Sequence, residues 1–372
     1  MKTTGIFDKP DGIYALSHSV GPLVKSASHA LQTEYLTSWA KQGGDAWPHW
    51  LAQIDAFCEA IGEVLNAPAR LICPQVNLAS GFYGFLTAIA KLPSHKHQST
   101  ILMHKDAFAS MGFVVTGLAK TFNLKLHLIE GDPNDIDAWY TAFENHQVLA
   151  CLVTHVHSNT SVKSNVAEIC NIAKQFEAFA CVDIAQSAGV VPVDVIHWQA
   201  DAVFGSCVKW LCGGPGAGFM YVKEILIATL EPDPIGWFSH QNPFEFDITH
   251  YVAADDAKRF WGGTPSIAPY VMATASIKTM LGLELPRVVT HNALMKEIMA
   301  DTLPKHNTYA YIKEHHSRFG GSLCIPANDH TKTQAKLAEH SVKYDCRGNV
   351  FRLSLHVINT EEEAIIIGEC FT

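Results

Sequence analysis

Long apolar runs are missing from this sequence of 372 residues, since none approaches the roughly eighteen residues that a membrane-spanning helix needs. The absence argues against a membrane protein. Residues 1–12 lack the apolar core of a secretory signal, so a cytoplasmic location is expected. The net charge of −9 argues against nucleic acid or an anionic membrane as the main partner. An anionic substrate would therefore have to be held by locally placed arginine.

Metal-ligand and disulfide patterns are also missing. The ten cysteines include no C-x-x-C pair, and the candidate ligand pairs His155/His157 and His315/His316 have no acids at ligand spacing. We therefore expect reduced thiols that pack as small apolar residues, and no bound metal. Flexible Gly/Ser linkers, internal repeats and low-complexity segments are absent as well.

Short apolar runs that alternate with amphipathic segments are the main pattern of the first two thirds of the chain. Such alternation is typical of a doubly wound, largely parallel sheet with helices on both faces. The last strand follows its predecessor after a short stretch, so it could run antiparallel. Helices are predicted over residues 76–91, 166–176 and 266–282. The seven predicted strands are residues 70–73, 101–104, 124–129, 148–156, 178–184, 202–204 and 218–222.

The domain organisation follows from this pattern and from the length. Residues 231–247 are rich in proline, aromatics and acids, which indicates a long ordered loop over a site. Residues 309–372 have the pattern of a compact α+β unit. The sequence predicts an α/β fold with a large domain at 31–260 and a smaller C-terminal α+β domain at 261–372 that includes the connecting helix. An N-terminal segment, 1–30, is expected to pack with the small domain.

Asp183 and Lys209 are the strongest chemical signal in the sequence. Asp183 ends a buried strand, where an ionised carboxylate is costly unless a cation pairs with it. Lys209 lies between apolar residues and a glycine-rich turn, where burial lowers its pKa and leaves an amine for imine formation. An acid for a pyridine nitrogen and a lysine for an imine are what pyridoxal 5′-phosphate (PLP) requires of a protein. The alternatives are an Asp183 that caps the next helix and a surface Lys209.

Other residues are candidates for binding the cofactor and the substrate. The segment that contains Gln75 and Val76 lies where a strand gives way to a helix, so its amides could bind phosphate. Ser206 and Thr264 offer hydroxyls for the same purpose, although both residue types are ordinary helix caps. Arg352 lies in an alternating strand pattern, where its planar fork would bind a carboxylate of the substrate or, alternatively, one within the protein. Two aromatics, Phe108 and Trp237, are candidates for cofactor stacking and the substrate pocket, or for the core.

Together these residues resemble the class V aminotransferase family of fold-type I PLP-dependent enzymes over nearly the whole chain. The block VDIAQSAGVVPVDV…ADAVFGSCVKWL is similar to the family's cofactor block. The resemblance implies that Lys209 is the Schiff-base lysine, that Asp183 pairs with the pyridine nitrogen and that Gln186 lies near the phenolic oxygen. RLSLHVINTEEE resembles the C-terminal signature, in which Arg352 would hold the α-carboxylate of the substrate.

The same resemblance implies the phosphate contacts and the assembly. Ser206 and Thr264 match phosphate-binding positions, and Thr264 is expected to come from the neighbouring subunit. A homodimer with active sites at the subunit interface is therefore expected, with a small amino acid as the substrate.

Within the family, several stretches are most similar to the kynureninases. LVTHVHSNT, KWLCGGPGAG and IGWFSH follow their pattern, which implies that Trp237 lies in the substrate pocket and that Phe108 lies on the cofactor ring. His18 stands in HSVG where that group has Asn-Ser-Leu-Gly, and it is a candidate for substrate binding.

The departures from the kynureninase pattern lie around the cofactor. Val208 replaces a tyrosine before the lysine, Gln186 replaces a histidine, Met111 replaces an acid, and Pro74-Gln75 replaces Thr-Ser. The two polar residues that are expected to anchor the cofactor, Asp183 and Lys209, remain.

The expected activity is that of a PLP-dependent enzyme that acts on an α-amino acid through an external aldimine. The resemblance favours a kynureninase-like hydrolase or lyase that cleaves a side-chain bond. The alternatives are a class V aminotransferase that acts with a 2-oxo acid, a cysteine desulfurase-like lyase that uses Cys324, and a non-catalytic protein with this fold.

Overall fold

The structure is a computed structural model that describes residues 5–372, so the first four residues of the predicted N-terminal segment lie outside the described residues. The strands are β1 (Phe7–Asp8), β2 (Ile13–Tyr14), β3 (Leu23–Val24), β4 (Ile72–Gln75), β5 (Thr100–His104), β6 (Lys125–Ile129), β7 (Val148–Thr154), β8 (Phe179–Asp183), β9 (Ala202–Ser206), β10 (Gly218–Val222), β11 (Leu323–Pro326), β12 (Val342–Lys343), β13 (Asp345–Arg347) and β14 (Val350–Leu353).

Helices cover both faces of the central sheet and build much of the C-terminal part. They are α1 (Lys25–Ala30), α2 (Ser38–Gln42), α3 (Trp47–Leu65), α4 (Leu78–Ala90), α5 (Ala109–Phe122), α6 (Ile136–Asn145), α7 (Val166–Gln175), α8 (Val195–Trp198), α9 (Glu224–Ile227), α10 (Ala268–Gly282), α11 (Leu285–Thr302), α12 (Asn307–His315), α13 (His330–Glu339) and α14 (Glu361–Glu369). Among the helices within residues 5–372, none is both long and apolar enough to cross a membrane.

The seven-stranded sheet has the order β4-β10-β9-β8-β7-β5-β6. Strand β10 runs antiparallel to both of its neighbours, and the other pairs are parallel. All residues of β7 and β8 are buried, as expected for strands that are covered on both faces. The predicted α/β fold with a mostly parallel sheet is confirmed, including the antiparallel last strand.

The carboxyl ends of β7, β8 and β9 meet at one edge of the sheet. Thr154 pairs in register with Asp183, and Asp183 pairs with Phe204 near the end of β9. In open α/β sheets, ligands bind outside the carboxyl ends of the strands. This edge is therefore where a functional site is expected.

The C-terminal part has a three-stranded antiparallel sheet in the order β11-β14-β13. Its helices α11 to α14 pack on that sheet around a separate hydrophobic core. Ile13 and Ala15 of the N-terminal segment belong to this core, and β2 pairs with β12. By contrast, the buried face of α10, the predicted connecting helix, packs on the core of the large sheet. The boundaries 1–30, 31–260 and 261–372 stay a prediction.

Candidate active site

A cavity of about 350 Å³ lies at the carboxyl edge of the large sheet. Strand ends, the turn after β9, and the first turns of α4 and α5 form its walls. The predicted site residues that line it are Phe108, Asp183, Gln186, Ser206 and Lys209. The fold thus brings Phe108 and Lys209, which are 101 positions apart in the sequence, to one cavity.

Asp183 is the last residue of β8 and is buried. The backbone N–H of Ala185 donates to Asp183 Oδ1 at 2.8 Å, which is one hydrogen bond for a group that can accept several. Burial raises the pKa of Asp183, while the Ala185 N–H and the positive charge of Lys209 act in the opposite direction. A cationic ring nitrogen beside this carboxylate would compensate the cost of its burial.

Lys209 follows β9 and extends toward Asp183 and Phe108. Burial, together with the nearby charges of Arg352 and Arg347, lowers the pKa of Lys209 to about 8, although the charge of Asp183 opposes the shift. Its Nζ lies 5.9 Å from the centre of the Phe108 ring. Roughly a tenth of this lysine is therefore a free amine at pH 7, far more than of an ordinary exposed lysine, and imine chemistry requires the free amine.

The turn that carries Lys209 is fixed by the N-terminal segment. The N–H of Gly21 donates to the carbonyl of Val208 at 2.8 Å. A Cβ at Gly21 would lie 2.1 Å from the carbonyl oxygen of Lys209, so only glycine allows this close approach.

The first turn of α4 supplies backbone N–H groups at one wall of the cavity. Asn77 caps this helix, since its side chain accepts from the N–H of Ser80 at 3.0 Å, and Asn77, Leu78 and Ala79 line the cavity. A helix N-terminus attracts anions through its free N–H groups and its dipole. The phosphate-binding wall is therefore expected at residues 77–79, because the helix begins two residues later than the predicted 76.

The remaining predicted phosphate contacts lie elsewhere. Gln75 is still in β4, and its amide donates to the carbonyl of Phe260 at 3.0 Å. Gln75, Val76 and Thr264 line a second cavity of about 600 Å³, which adjoins the first at Asn77 and Ala79. The structure does not bring these three side chains to Lys209 within one chain, and their role stays a prediction.

Gln186 lines the cavity, but its amide is engaged by the protein. Its Nε2 donates to the carbonyl of His18 at 3.0 Å, and its Oε1 accepts from Trp210 Nε1 at 3.3 Å. Both contacts hold the side chain in place beside the cavity. The predicted contact to a phenolic oxygen would have to use the second hydrogen of Nε2.

Arg352 and His18 lie together in a cluster beside the cavity, and neither of them lines it. Arg352 Nη1 donates to Asp345 Oδ2 at 2.5 Å, and His18 Nε2 lies 3.7 Å from the same oxygen. The alternative that Arg352 binds a carboxylate of the protein is therefore present in the structure, as its ion pair with Asp345. The charge of Arg352 still reaches Lys209, since it contributes to the lowered pKa of that lysine.

Trp237 and Thr264 contact each other outside the Lys209 cavity. Trp237 Nε1 donates to Thr264 Oγ1 at 3.1 Å, and the indole packs against Phe238, Phe244 and Phe246. The aromatic loop predicted at 231–247 is therefore ordered around Trp237. A role of Trp237 in a substrate pocket stays a prediction.

Three hydroxyl residues of the cavity were not predicted: Thr154, Ser110 and Ser158. Thr154 Oγ1 is buried and has no hydrogen-bond partner in the structure. Its position at the end of β7, next to Asp183 at the end of β8, is the signal that could have identified it. Buried hydroxyls are normally paired, and this one lines the cavity, so it is available to bind a ligand there.

The residues of this cavity fit PLP. They provide a buried carboxylate in need of a cation, a buried lysine with a lowered pKa, a phenyl ring near that lysine, a helix N-terminus and an unpaired hydroxyl. Within residues 5–372, no group of three or more His, Cys, Asp or Glu side chains could hold a metal ion. The fold is that of fold-type I PLP-dependent proteins, and this set of groups suits their cofactor.

The family model of class-V aminotransferases matches residues 84–364, and the chain belongs to this family. The family assignment confirms PLP as the cofactor that the sequence predicted. It also confirms the predicted resemblance to class V proteins.

Several curated relatives are similar to the chain. An uncharacterized aminotransferase, YcbU, from Bacillus subtilis is 28% identical over 231 residues, which are 61% of this chain and 60% of that protein. The kynureninase of Deinococcus radiodurans is 28% identical over 70% of this chain and 64% of its own length. The kynureninase of Burkholderia pseudomallei is 23% identical over 91% of this chain and 80% of its own length. The first two matches span less than two thirds of the relatives' length.

Solved structures share the fold at lower identity. A cysteine desulfurase from Thermococcus onnurineus NA1 has a TM-score of 0.81 with 21% identity, over 95% of this chain and 92% of the other. The cystine C–S lyase C-DES in complex with cysteine persulfide has a TM-score of 0.83 with 19% identity, over 97% of both chains. These likenesses establish the fold.

Proposed function

We propose that the protein is a PLP-dependent enzyme that cleaves a side-chain bond of an α-amino acid, as a kynureninase does. The observation that supports it most is the single cavity lined by Asp183, Lys209 and Phe108. When bound there, PLP supplies an electron sink that stabilises negative charge on the substrate carbon next to the amino group. We propose that Lys209 attaches the cofactor and that Asp183 pairs with its pyridine nitrogen.

The side chains of the protein then have separate tasks in the proposed reaction. Lys209, whose pKa is lowered to about 8, removes a proton from the α-carbon and can return one, because the amine is a usable base near neutral pH. Arg352 binds the α-carboxylate and orients the substrate. Phe108 would contact the cofactor ring, and the apolar side chains of Val208 and Met111 would line the cavity beside it and help to exclude water.

Cleavage of the side chain is favoured because several similar relatives are named kynureninase, and one of these matches covers 91% of this chain. A kynureninase releases alanine and anthranilate from kynurenine and water. We therefore expect the protein, loaded with PLP, to release fluorescent anthranilate from L-kynurenine without any 2-oxo acid. A variant Asp194→Asn, at an exposed helix cap, should keep this activity, since asparagine caps helices equally well.

Transamination is the second candidate, because one similar relative is named an aminotransferase and Val208 replaces the tyrosine of the kynureninase pattern. No anthranilate release, together with amino transfer that requires a 2-oxo acid, would establish this candidate and contradict the first.

A desulfurase-like reaction needs a mobile nucleophilic cysteine, and Cys324 has neither property. It lies in β11 opposite Arg352, and burial raises the pKa of its thiol to about 12. The preceding loop is held by Lys296, which donates to the carbonyl of Phe319 at 3.0 Å, and by Asn292, which donates to that of Gly321 at 2.9 Å. Sulfide release from cysteine that is lost in Cys324→Ala would contradict this argument.

We also propose a homodimer. Thr264 lies outside the Lys209 cavity, so it would reach a cofactor phosphate only at the site of a second copy. Light scattering should give about twice the chain mass of 40.8 kDa. A monomer with full activity would contradict the proposed role of Thr264.

A further inference from the structure

The ion pair between Arg352 and Asp345 has an arrangement that bears on how a substrate carboxylate binds. Arg352 lies in β14, the middle strand of the small sheet, directly opposite Asp345 in β13. The side chain of Arg352 is only 4% exposed, whereas that of Asp345 is 34% exposed. Asp345 therefore lies between the buried guanidinium group and the solvent.

His18 does not stabilise Asp345 by a hydrogen bond. The hydroxyl of Ser354 lies 3.1 Å from the carbonyl oxygen of Ala15 and 2.7 Å from His18 Nδ1, so Ser354 holds the imidazole ring through its Nδ1 side. His18 Nε2 lies 3.7 Å from Asp345 Oδ2, which is beyond hydrogen-bond distance, and it has no hydrogen-bond partner in the structure. Burial lowers the pKa of His18 to about 3, so the ring is neutral and offers Asp345 no charge.

Two arginines contact the carboxylate of Asp345. Arg352 Nη1 lies 2.5 Å from Asp345 Oδ2, and Arg347 Nε lies 3.8 Å from the same oxygen. Two arginines and one carboxylate leave the cluster with a net charge of +1. One further carboxylate would neutralise the charge of the cluster, and the partly exposed Asp345 is the group that such a carboxylate meets first.

We propose that Asp345 is a built-in competitor that occupies Arg352 until the α-carboxylate of a substrate displaces it. The inference rests on the proposed function, because it takes Arg352 as the carboxylate anchor. In the free protein, Asp345 offsets the cost of the buried guanidinium charge. When a substrate binds, its carboxylate takes over Arg352, and Asp345 turns to Arg347 and the solvent. Part of the binding energy of the carboxylate is spent on this exchange, so Asp345 weakens the binding of all α-carboxylates.

The test compares two ligands that differ only in the carboxylate, L-phenylalanine and 2-phenylethylamine, with the PLP-loaded protein. Dissociation constants are measured from the change in cofactor absorbance. In Asp345→Asn, the dissociation constant of phenylalanine should fall about five- to tenfold, and that of phenylethylamine should change by less than about twofold. Asp345→Ser should give the same pattern. This second variant checks that the effect comes from the loss of the carboxylate and not from the asparagine side chain.

The matched control is Asp132→Asn, which removes an exposed aspartate that pairs with Arg318 at 2.8 Å and should change neither constant. In Arg352→Gln, phenylalanine should bind more weakly, and adding Asp345→Asn should have no further effect. Weaker phenylalanine binding in Asp345→Asn, or equal shifts for both ligands, would overturn the proposal while Arg352 stayed the anchor. If the wild-type protein bound neither ligand, the proposed function would fail with it.

Discussion

The amine of Lys209 lies 5.9 Å from the centre of the Phe108 ring, at the edge of the sheet where β8 ends in the buried Asp183. An amine, a carboxylate and an aromatic face thus line the same small space. Burial of the carboxylate and of the amine costs free energy, whereas an aromatic side chain in a cavity is ordinary. Together the three groups suit one aromatic heterocycle with a cationic nitrogen and an aldehyde carbon.

Replacement of Asp183 by asparagine should leave PLP bound but lower turnover by about a hundredfold, because the ring loses the negative partner that favours its protonated form. Turnover and cofactor content of the purified protein are measured together. Asp194→Asn is the control, since it makes the same substitution at an exposed helix cap. Unchanged turnover in Asp183→Asn would show that this carboxylate does not act on the ring.

Replacement of Thr154 by valine should lower PLP affinity without lowering the stability of the cofactor-free protein. The hydroxyl of Thr154 is buried without a partner, and valine has the same shape without the unpaired polar group. Titration with PLP and thermal unfolding of the cofactor-free protein give the two values. Loss of stability with unchanged PLP affinity would mean that the hydroxyl has a partner within the protein.

Replacement of Gly21 by alanine should lower the PLP content, because the added Cβ would lie 2.1 Å from the carbonyl oxygen of Lys209 and displace the turn that carries this residue. Gly44→Ala is the matched control, since a Cβ there meets nothing within 4 Å. Absorbance of the bound cofactor is compared at equal protein concentration. Equal PLP content in both variants would show that the N-terminal segment does not fix the lysine.

The rate at which the cofactor-free protein captures PLP should rise as the pH rises through about 8, because only the free amine of Lys209 reacts. Because the pKa of Lys209 is lowered from the ordinary 10.5, its amine loses the positive charge at a lower pH, and the rate of capture rises there. Stopped-flow absorbance at several pH values measures the rate. A midpoint near 10.5 would show that Lys209 is not buried beside the cavity.

The sequence predicted the sheet because its strands are buried on both faces and therefore form continuous apolar runs, as in β7 and β8. It also singled out Asp183 and Lys209, because an unpaired charge next to a buried run is costly. The structure places both residues at one cavity, and their roles stay a prediction. The start of α4 was predicted two residues early, because Pro74 and Gln75 still belong to β4. The expected phosphate contacts at Gln75 and Val76 stay a prediction, because this difference concerns only where the helix begins.

Contacts between distant segments could not be read from the sequence. The pairing of Arg352 with Asp345 depends on the register of two short strands, which no local pattern specifies. The hydrogen bond from Gln186 to His18 joins residues 168 positions apart. Thr154 was missed because a threonine at a strand end is ordinary until the neighbouring strand end is known to carry Asp183.

Attachment of the cofactor to one lysine is the claim on which the proposed chemistry depends. Borohydride reduction of the PLP-loaded protein, followed by digestion and mass spectrometry, measures it directly. We predict one pyridoxyl-modified peptide that contains Lys209, and none in Lys209→Arg. A modified peptide that contains a different lysine, or no modified peptide from a yellow wild-type protein, would contradict the account.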